Sequence, residues 1–350
     1  MRKSIAFSAS VVCLAWVAFL AAGSPSNVSA AGPSLYHRVK TIALSGDGGG
    51  DDLTVDGVAR RLYISRGTHV AVMDVDTYAM VGDIPDTQGV RGVALAPDLG
   101  RGFTSNGRTN TVTVFDPKTL ATLATAITGS GTEAIVFDPA SKRVFTFNGR
   151  AGTATVIDAA KAGTRGISGL TIDLGGRPES AVADGAGHVY SNLEDKSLVL
   201  QIDSRSRTIL NRWPLEPCEH PSGMAIDTQH RRLFVGCRNR LMAILDADTG
   251  KVVATVPAGE DVEDNEFDPG TQLAFASNGD GTLTVVHEDA PDKYTVVENV
   301  ATEKGARTMA LDPKTHNLFL AAPDFDPPAA GEPRAGMKPA RSVILVFARP

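Results

Sequence analysis

The chain reads as an all-β protein, a seven-bladed β-propeller whose last blade is closed by the N-terminal strand, and three observations carry that reading. Between residues 51 and 350 one unit of 40 to 45 residues recurs seven times, each built on an aromatic seven places after an Asp or turn residue: Tyr63, Phe103, Phe145, Tyr190, Phe234, Phe275 and Phe319. That period is the length of a four-stranded blade. The last unit stops after its third strand-like run, 343–347, and the missing fourth lies at the other end of the chain, where 39–44 imitates 252–257. Finally, no helical apolar period occurs beyond the N-terminus.

Taken in chain order, the first element is a leader. Met1-Arg-Lys precedes an unbroken run of apolar and small residues to Ala22, then Val28-Ser-Ala30, a small-residue cleavage pattern. Residues 1–30 are therefore expected to be a secretory signal, with a retained membrane anchor as the alternative; cleavage leaves no stable membrane span. Cleavage also removes Arg2 and Lys3 and no acid, so the net charge moves from −6 to −8. An exported acidic protein of periplasmic or secreted location does not attract nucleic acid by its charge. Length alone suggests about two domains, but a ring whose ends must meet cannot be cut, so residues 31–350 are expected to be one propeller.

Each blade then runs strand, turn, strand, hairpin, strand, strand. The units 135–145, 225–234 and 309–319 overlay, and the Asp-Pro pairs that occur at 138–139, 268–269 and 312–313 suit a tight turn, since Asp bonds amides ahead of it while Pro pre-sets φ. Third runs such as Val112-Thr-Val-Phe and Leu283-Thr-Val-Val alternate or are β-branched. Asn106, Asn148, Asn192 and Asn278 recur at the second hairpins, which we read as turn chemistry that exploits tolerance of positive φ. The last unit departs from this plan. A stretch with five prolines, 323–341, replaces its short hairpin and is expected to be a loop overhanging the channel face, a lid or docking arm or a neutral insertion.

The channel face is where chemistry would sit. Five places before each unit's anchor, the Asp or turn residue ahead of its aromatic (Asp56, Ala96, Asp138, Asp184, Asp227, Asp268 and Asp312), the residues Asp51, Arg91, Glu133, Glu179, Ser222, Glu263 and Arg307 enter the innermost strands around the mouth. Asp51 falls between Arg307 and Arg91, so these three are expected to neutralise one another, whereas Glu133 and Glu179 are neighbours with no cation between them. Asp52, Glu219, His220 and Asp264 adjoin the ring. The ring is either a water-filled, charge-lined channel or a site for a hard divalent ion, calcium or magnesium, on Glu133, Glu179 and Glu263. His220, near Glu179 and Glu263, is the candidate general base. His188, His230 and His316 fall in turns of the opposite face, where a solvated role is expected. Cys218 and Cys237 come to the same end of the fifth blade, and a disulfide closing about twenty residues fits an oxidising compartment. Two buried thiols, or metal ligation with His220, are the other readings. No nucleophile, zinc-protease or phosphate-loop motif occurs, and the single Gly46–Asp52 glycine-aspartate stretch begins the first blade.

The leader, the seven units of the form Asp-Pro-x-x-x-x-Leu/Val-Tyr/Phe, the Asn-Gly hairpins and the Pro-rich late loop together resemble the YncE-like, YVTN-repeat β-propeller family, over essentially all of 36–350. The repeats are degenerate: Arg-Leu-Tyr-Ile-Ser, Arg-Val-Phe-Thr-Phe-Asn and Arg-Leu-Phe-Val-Gly-Cys stand where the family often has a Tyr-Val-Thr-Asn run. The resemblance implies a periplasmic or secreted seven-bladed ring. Some members are associated with single-stranded DNA, which needs basic grooves and stacking aromatics; this chain is acidic and its hairpins hold no Trp or Tyr. Two functions follow for test. The first is a non-catalytic binding or scaffold protein presenting its channel face and loop 323–341 to a protein or small-molecule ligand. The second is a divalent-metal-dependent hydrolase or lactonase at the channel mouth.

Overall fold

A computed structural model describes residues 1, 34–46, 49–162, 169–324 and 341–350. The leader expected over 1–30 lies outside these apart from Met1, as does nearly all of loop 323–341. Residues Ser34–Pro350 form one compact unit. Among the described residues no helix is long and apolar enough to cross a membrane.

Seven four-stranded antiparallel sheets make the ring. In blades 1 to 6 the four strands are consecutive in sequence. Blade 7 is mixed in origin: Thr308–Leu311, Leu318–Asp324 and Arg341–Ala348 are joined by His37–Leu44, which pairs antiparallel with Arg341–Ala348 from His37 opposite Ala348 to Leu44 opposite Ser342. Closing the ring in this way leaves no long unpaired edge between the first and last blades.

The apolar pattern follows from stacking blade on blade. Seven buried clusters occur, and each draws on two neighbouring blades, so the core is a set of seams and not one central mass. Second strands such as Arg61–Ser65 and Arg143–Asn148 are covered on both faces and read as continuous apolar runs, while outer strands such as Met80–Ile84 and Thr122–Ile127 are largely exposed. All seven repeat aromatics are buried, none more than 1 % exposed.

The anchor aspartates hold the turns between first and second strands. Asp138 accepts from Ser141 N–H (2.9 Å), Asp268 from Gly270 N–H (2.9 Å) and Asp312 from Lys314 N–H (3.1 Å). In blade 4 the turn is one residue shorter, and Asp184 accepts the amides of Ala186, Gly187 and His188.

The hairpin asparagines differ from the sequence expectation. None of Asn106, Asn148, Asn192 and Asn278 has positive φ; each is fully buried. Asn148 Nδ2 donates to Thr153 Oγ1 (3.1 Å) and Thr155 Oγ1 (3.0 Å), Asn106 binds Thr111 and Thr113 in the same way, and Asn278 binds Thr282 and Thr284. The side-chain amide closes the hairpin from within. Asn192 instead crosses a seam to the Ser222 carbonyl (2.9 Å).

Candidate functional site at the channel mouth

The ring positions owe their aim to a shared irregularity. In blades 2 to 6 the pairing of the first and second strands slips near the start of the innermost strand, between Val90 and Gly92, Thr132 and Ile135, Pro178 and Ala181, Pro221 and Met224, and Val262 and Asp264. Arg91, Glu133, Glu179, Ser222 and Glu263 each lie inside one of these bulges. A bulge adds a residue that cannot join the ladder and turns its side chain out of the pleat, so five blades present their ring residue by the same device.

Together with Asp51 these residues line a cavity of about 450 Å³. Arg307 does not line it but reaches Glu263 (3.5 Å) and Asp261 (3.8 Å). The charge pairing also departs from the sequence expectation. Arg91 does bind Asp51 (2.7 Å), yet it reaches Glu133 as well (3.4 Å), and Arg307 pairs with blade 6 instead of with Asp51. Glu133 and Glu179 are not left without cations: Arg177 lies 3.5 Å from Glu179 and 3.0 Å from Glu194. Arg238 bridges Glu194 (3.6 Å) and Glu263 (3.5 Å). Sequence reasoning missed Arg177, Glu194 and Arg238 because they belong to neighbouring loops and not to the counted register.

Glu133, Glu179 and Glu263 are thus each held by arginine, and among the described residues their oxygens do not converge as a ligand set. A calcium or magnesium ion on these three would have to displace those arginines. His220 is exposed and does not line the cavity, and its backbone N–H bonds Ser197 Oγ (3.4 Å). Ser222 is buried, and its hydroxyl is committed to the Val262 carbonyl. Cys218 and Cys237 are joined in a disulfide with Cα atoms 5.4 Å apart, which removes them as metal ligands.

Deeper in the channel lies a second set, Asp52, Asp264 and Glu266. In Val262–Asp268 alternation sends Asp264 and Glu266 to the channel while Asn265 and Phe267 are buried against the blade. Asp264 accepts the amides of Asn265 (2.9 Å) and Met309 (3.1 Å). Burial pushes Asp264 up to about 7 in spite of those bonds. Burial and then the nearby Asp264 push Glu266 up to about 8, and Asp52 is raised well above the carboxylate range by burial and then by Asp264, Asp51 and Glu266. At the mouth, Glu179 is pushed up to about 7 by burial and by Glu194. No cation of the chain pairs with Asp52, Asp264 or Glu266 among the described residues. Glu266 went unread in the sequence, although an innermost strand spelling Val-Glu-Asp-Asn-Glu-Phe-Asp stands out beside Ile-Val-Phe-Asp or Ala-Ile-Asp.

On the opposite face, His188, His230 and His316 are not simply solvated. Their Nδ1 atoms lie 2.9, 2.8 and 2.8 Å from Asp184, Asp227 and Asp268 respectively. The aspartates that shape the turns also recruit the histidines.

No protein-family model matches the chain, and no curated protein matches it in sequence. Structural similarity is extensive: 1808 solved chains match. One of them, from the crystal structure of the mitotic checkpoint complex, superposes with a TM-score of 0.71 at 15 % identity, covering 91 % of this chain and 96 % of that one. At that identity the likeness concerns the fold, and a fold this widespread does not choose a function.

Proposed function

We propose that the protein is a non-catalytic binding module, an exported YncE-like propeller of residues 31–350 that docks a protein partner on its channel face, with a Lys or Arg side chain of the partner entering the channel. The observation that carries this is the contrast between two tiers. Acids at the mouth are matched by Arg91, Arg177, Arg238 and Arg307, whereas Asp52, Asp264 and Glu266 below them have no cation among the described residues and burial favours the protonated form of each. An entering ammonium or guanidinium would displace those protons and gain charge-assisted hydrogen bonds. The arginines of the rim would orient an acidic surface around it. Loop 323–341 departs from the same face and would add contacts.

The export and family assignments rest on the leader, the repeats and the Pro-rich stretch. A chain of the same architecture belongs to the mitotic checkpoint complex, so such a ring can form part of a protein assembly. A trilysine peptide titrated calorimetrically tests the channel. Binding should weaken with added salt and fall at least 10-fold in Asp52→Asn/Glu266→Gln. No binding by the wild type, or equal binding by the variant, would remove the channel from the proposal.

A further inference from the structure

Three seams on the far face share a device. A residue in left-handed backbone conformation, four places after its own anchor, reaches back to the anchor aspartate of the preceding blade. Arg60 (φ 58°) binds Asp312 (2.7 Å), Arg231 (φ 59°) binds Asp184 (2.9 Å), and His316 (φ 61°) binds Asp268 (2.8 Å). Each clamp sets a cation or an imidazole against a buried carboxylate.

Between blades 5 and 6 this device is absent. The reaching position is Gln272 (φ 56°), which carries no charge, and anchor Asp227 meets a second carboxylate, Glu288, from the end of blade 6's third strand. His230 stands between them, its Nδ1 2.8 Å from Asp227 Oδ2 and 3.4 Å from Glu288 Oε2, and the three ligand atoms lie within 4.8 Å of one another. The Asp227 side chain is 2 % exposed and that of Glu288 1 %, while His230 keeps 25 %. Tyr294 donates to Glu288 Oε1 (3.3 Å), but Oε2 has no hydrogen-bond partner. Neither does His230 Nδ1, which is close to both oxygens yet aligned with neither. His188 and His316 differ, since each makes a formed hydrogen bond from Nδ1 to its aspartate. The adjacent Arg232 is engaged by Asp246 (3.0 Å) and Asp292 (2.8 Å).

Two enclosed carboxylates need a shared proton or a positive partner, and the geometry fits a particular kind of partner. Ligands bonded at about 2.0 to 2.2 Å, at angles between a right angle and tetrahedral, stand about 2.9 to 3.4 Å apart. The spacing here is of that order, and an imidazole nitrogen with two carboxylate oxygens suits a first-row divalent ion. We propose that Asp227, His230 and Glu288 bind one such ion, with zinc(II) as the representative, and that it clamps blade 5 to blade 6 where three other seams use Arg or His. The exposed edge of His230 leaves the remaining coordination to water, and the ion's role at this seam is structural.

The test uses the untagged full chain, stripped with chelator and titrated with zinc chloride by calorimetry, together with melting curves at zinc excess. Expected are one ion per chain, a Tm raised by a few degrees and reversed by chelator, and an affinity lowered about 100-fold or more in both His230→Gln and Glu288→Gln. His316→Gln, at a seam with a formed hydrogen bond, should bind zinc as the wild type does. No uptake by the wild type, or the same stoichiometry and affinity in His230→Gln and Glu288→Gln, would overturn the site. The wild-type titration stands even if one variant fails to fold.

Discussion

At the residue scale the charges of the channel act on stability as well as on binding. Asp264 and Glu266 are raised to about 7 and about 8 when folded, against about 4 when unfolded. The folded state therefore holds more protons than the unfolded state between those values. Their contribution is fully present below about pH 4 and is lost as pH rises through 8, with a limiting slope of about 1.4 kcal/mol per pH unit for each carboxyl. Turn aspartates with lowered values, such as Asp312 and Asp246, act in the opposite sense and below that window. Glu266→Gln keeps the size and polarity of the side chain and removes the titration. Urea denaturation from pH 5 to 8 should show the variant gaining on the wild type as pH rises, by on the order of 1 kcal/mol or more at pH 8. Parallel curves would mean that Glu266 is ionised in the fold. The ring residues were legible because the repeat fixes their register. Their partners were not, because Arg177 and Arg238 reach them through space from loops that no period governs.

At the element scale the strands were readable and one reason for their turns was misjudged. Recurrence of Asn-Gly suggested a backbone requirement, yet the amides of Asn106, Asn148 and Asn278 are spent on paired threonines across the hairpin. The cue was present as Asn148 followed by Thr153-Ala-Thr155, but it takes the strand pairing of Asn148 with Thr153 to show that these groups meet. The two explanations part at Asn148→Gly. A φ requirement would make glycine harmless, whereas loss of the buried amide leaves hydroxyls unpartnered and costs about 2 kcal/mol or more. Chemical denaturation should place Asn148→Gly no higher than Asn148→Ala. A glycine variant as stable as the wild type would restore the backbone explanation. The bulges that aim the ring were not legible at all, since an extra residue in one strand is defined only against its partner.

For the whole molecule, the period announced the ring and its closure, and what stayed hidden is how tightly the N-terminal segment is tied in. Beyond the pairing of His37–Leu44, Tyr36 is fully buried between blades 6 and 7, edge-on to Phe275 at 5.3 Å, with its hydroxyl on the His316 carbonyl (3.0 Å). Glu298 accepts the amides of Leu35 and Tyr36 (3.0 and 3.1 Å). Deleting residues 34–44 should therefore lower the urea midpoint sharply or abolish the single cooperative transition, followed by circular dichroism; an unchanged midpoint would mean that the ring closes without the strap. Closure by the two ends also has a consequence in time. The first strand leaves the ribosome about 300 residues before Arg341–Ala348, and at about 5 to 20 residues per second it waits roughly 15 to 60 s for its mate. A bare strand left that long invites pairing with another nascent chain. Arg38 and Lys40, exposed on the finished ring, place positive charge along that waiting edge, where such residues act as gatekeepers against mispairing.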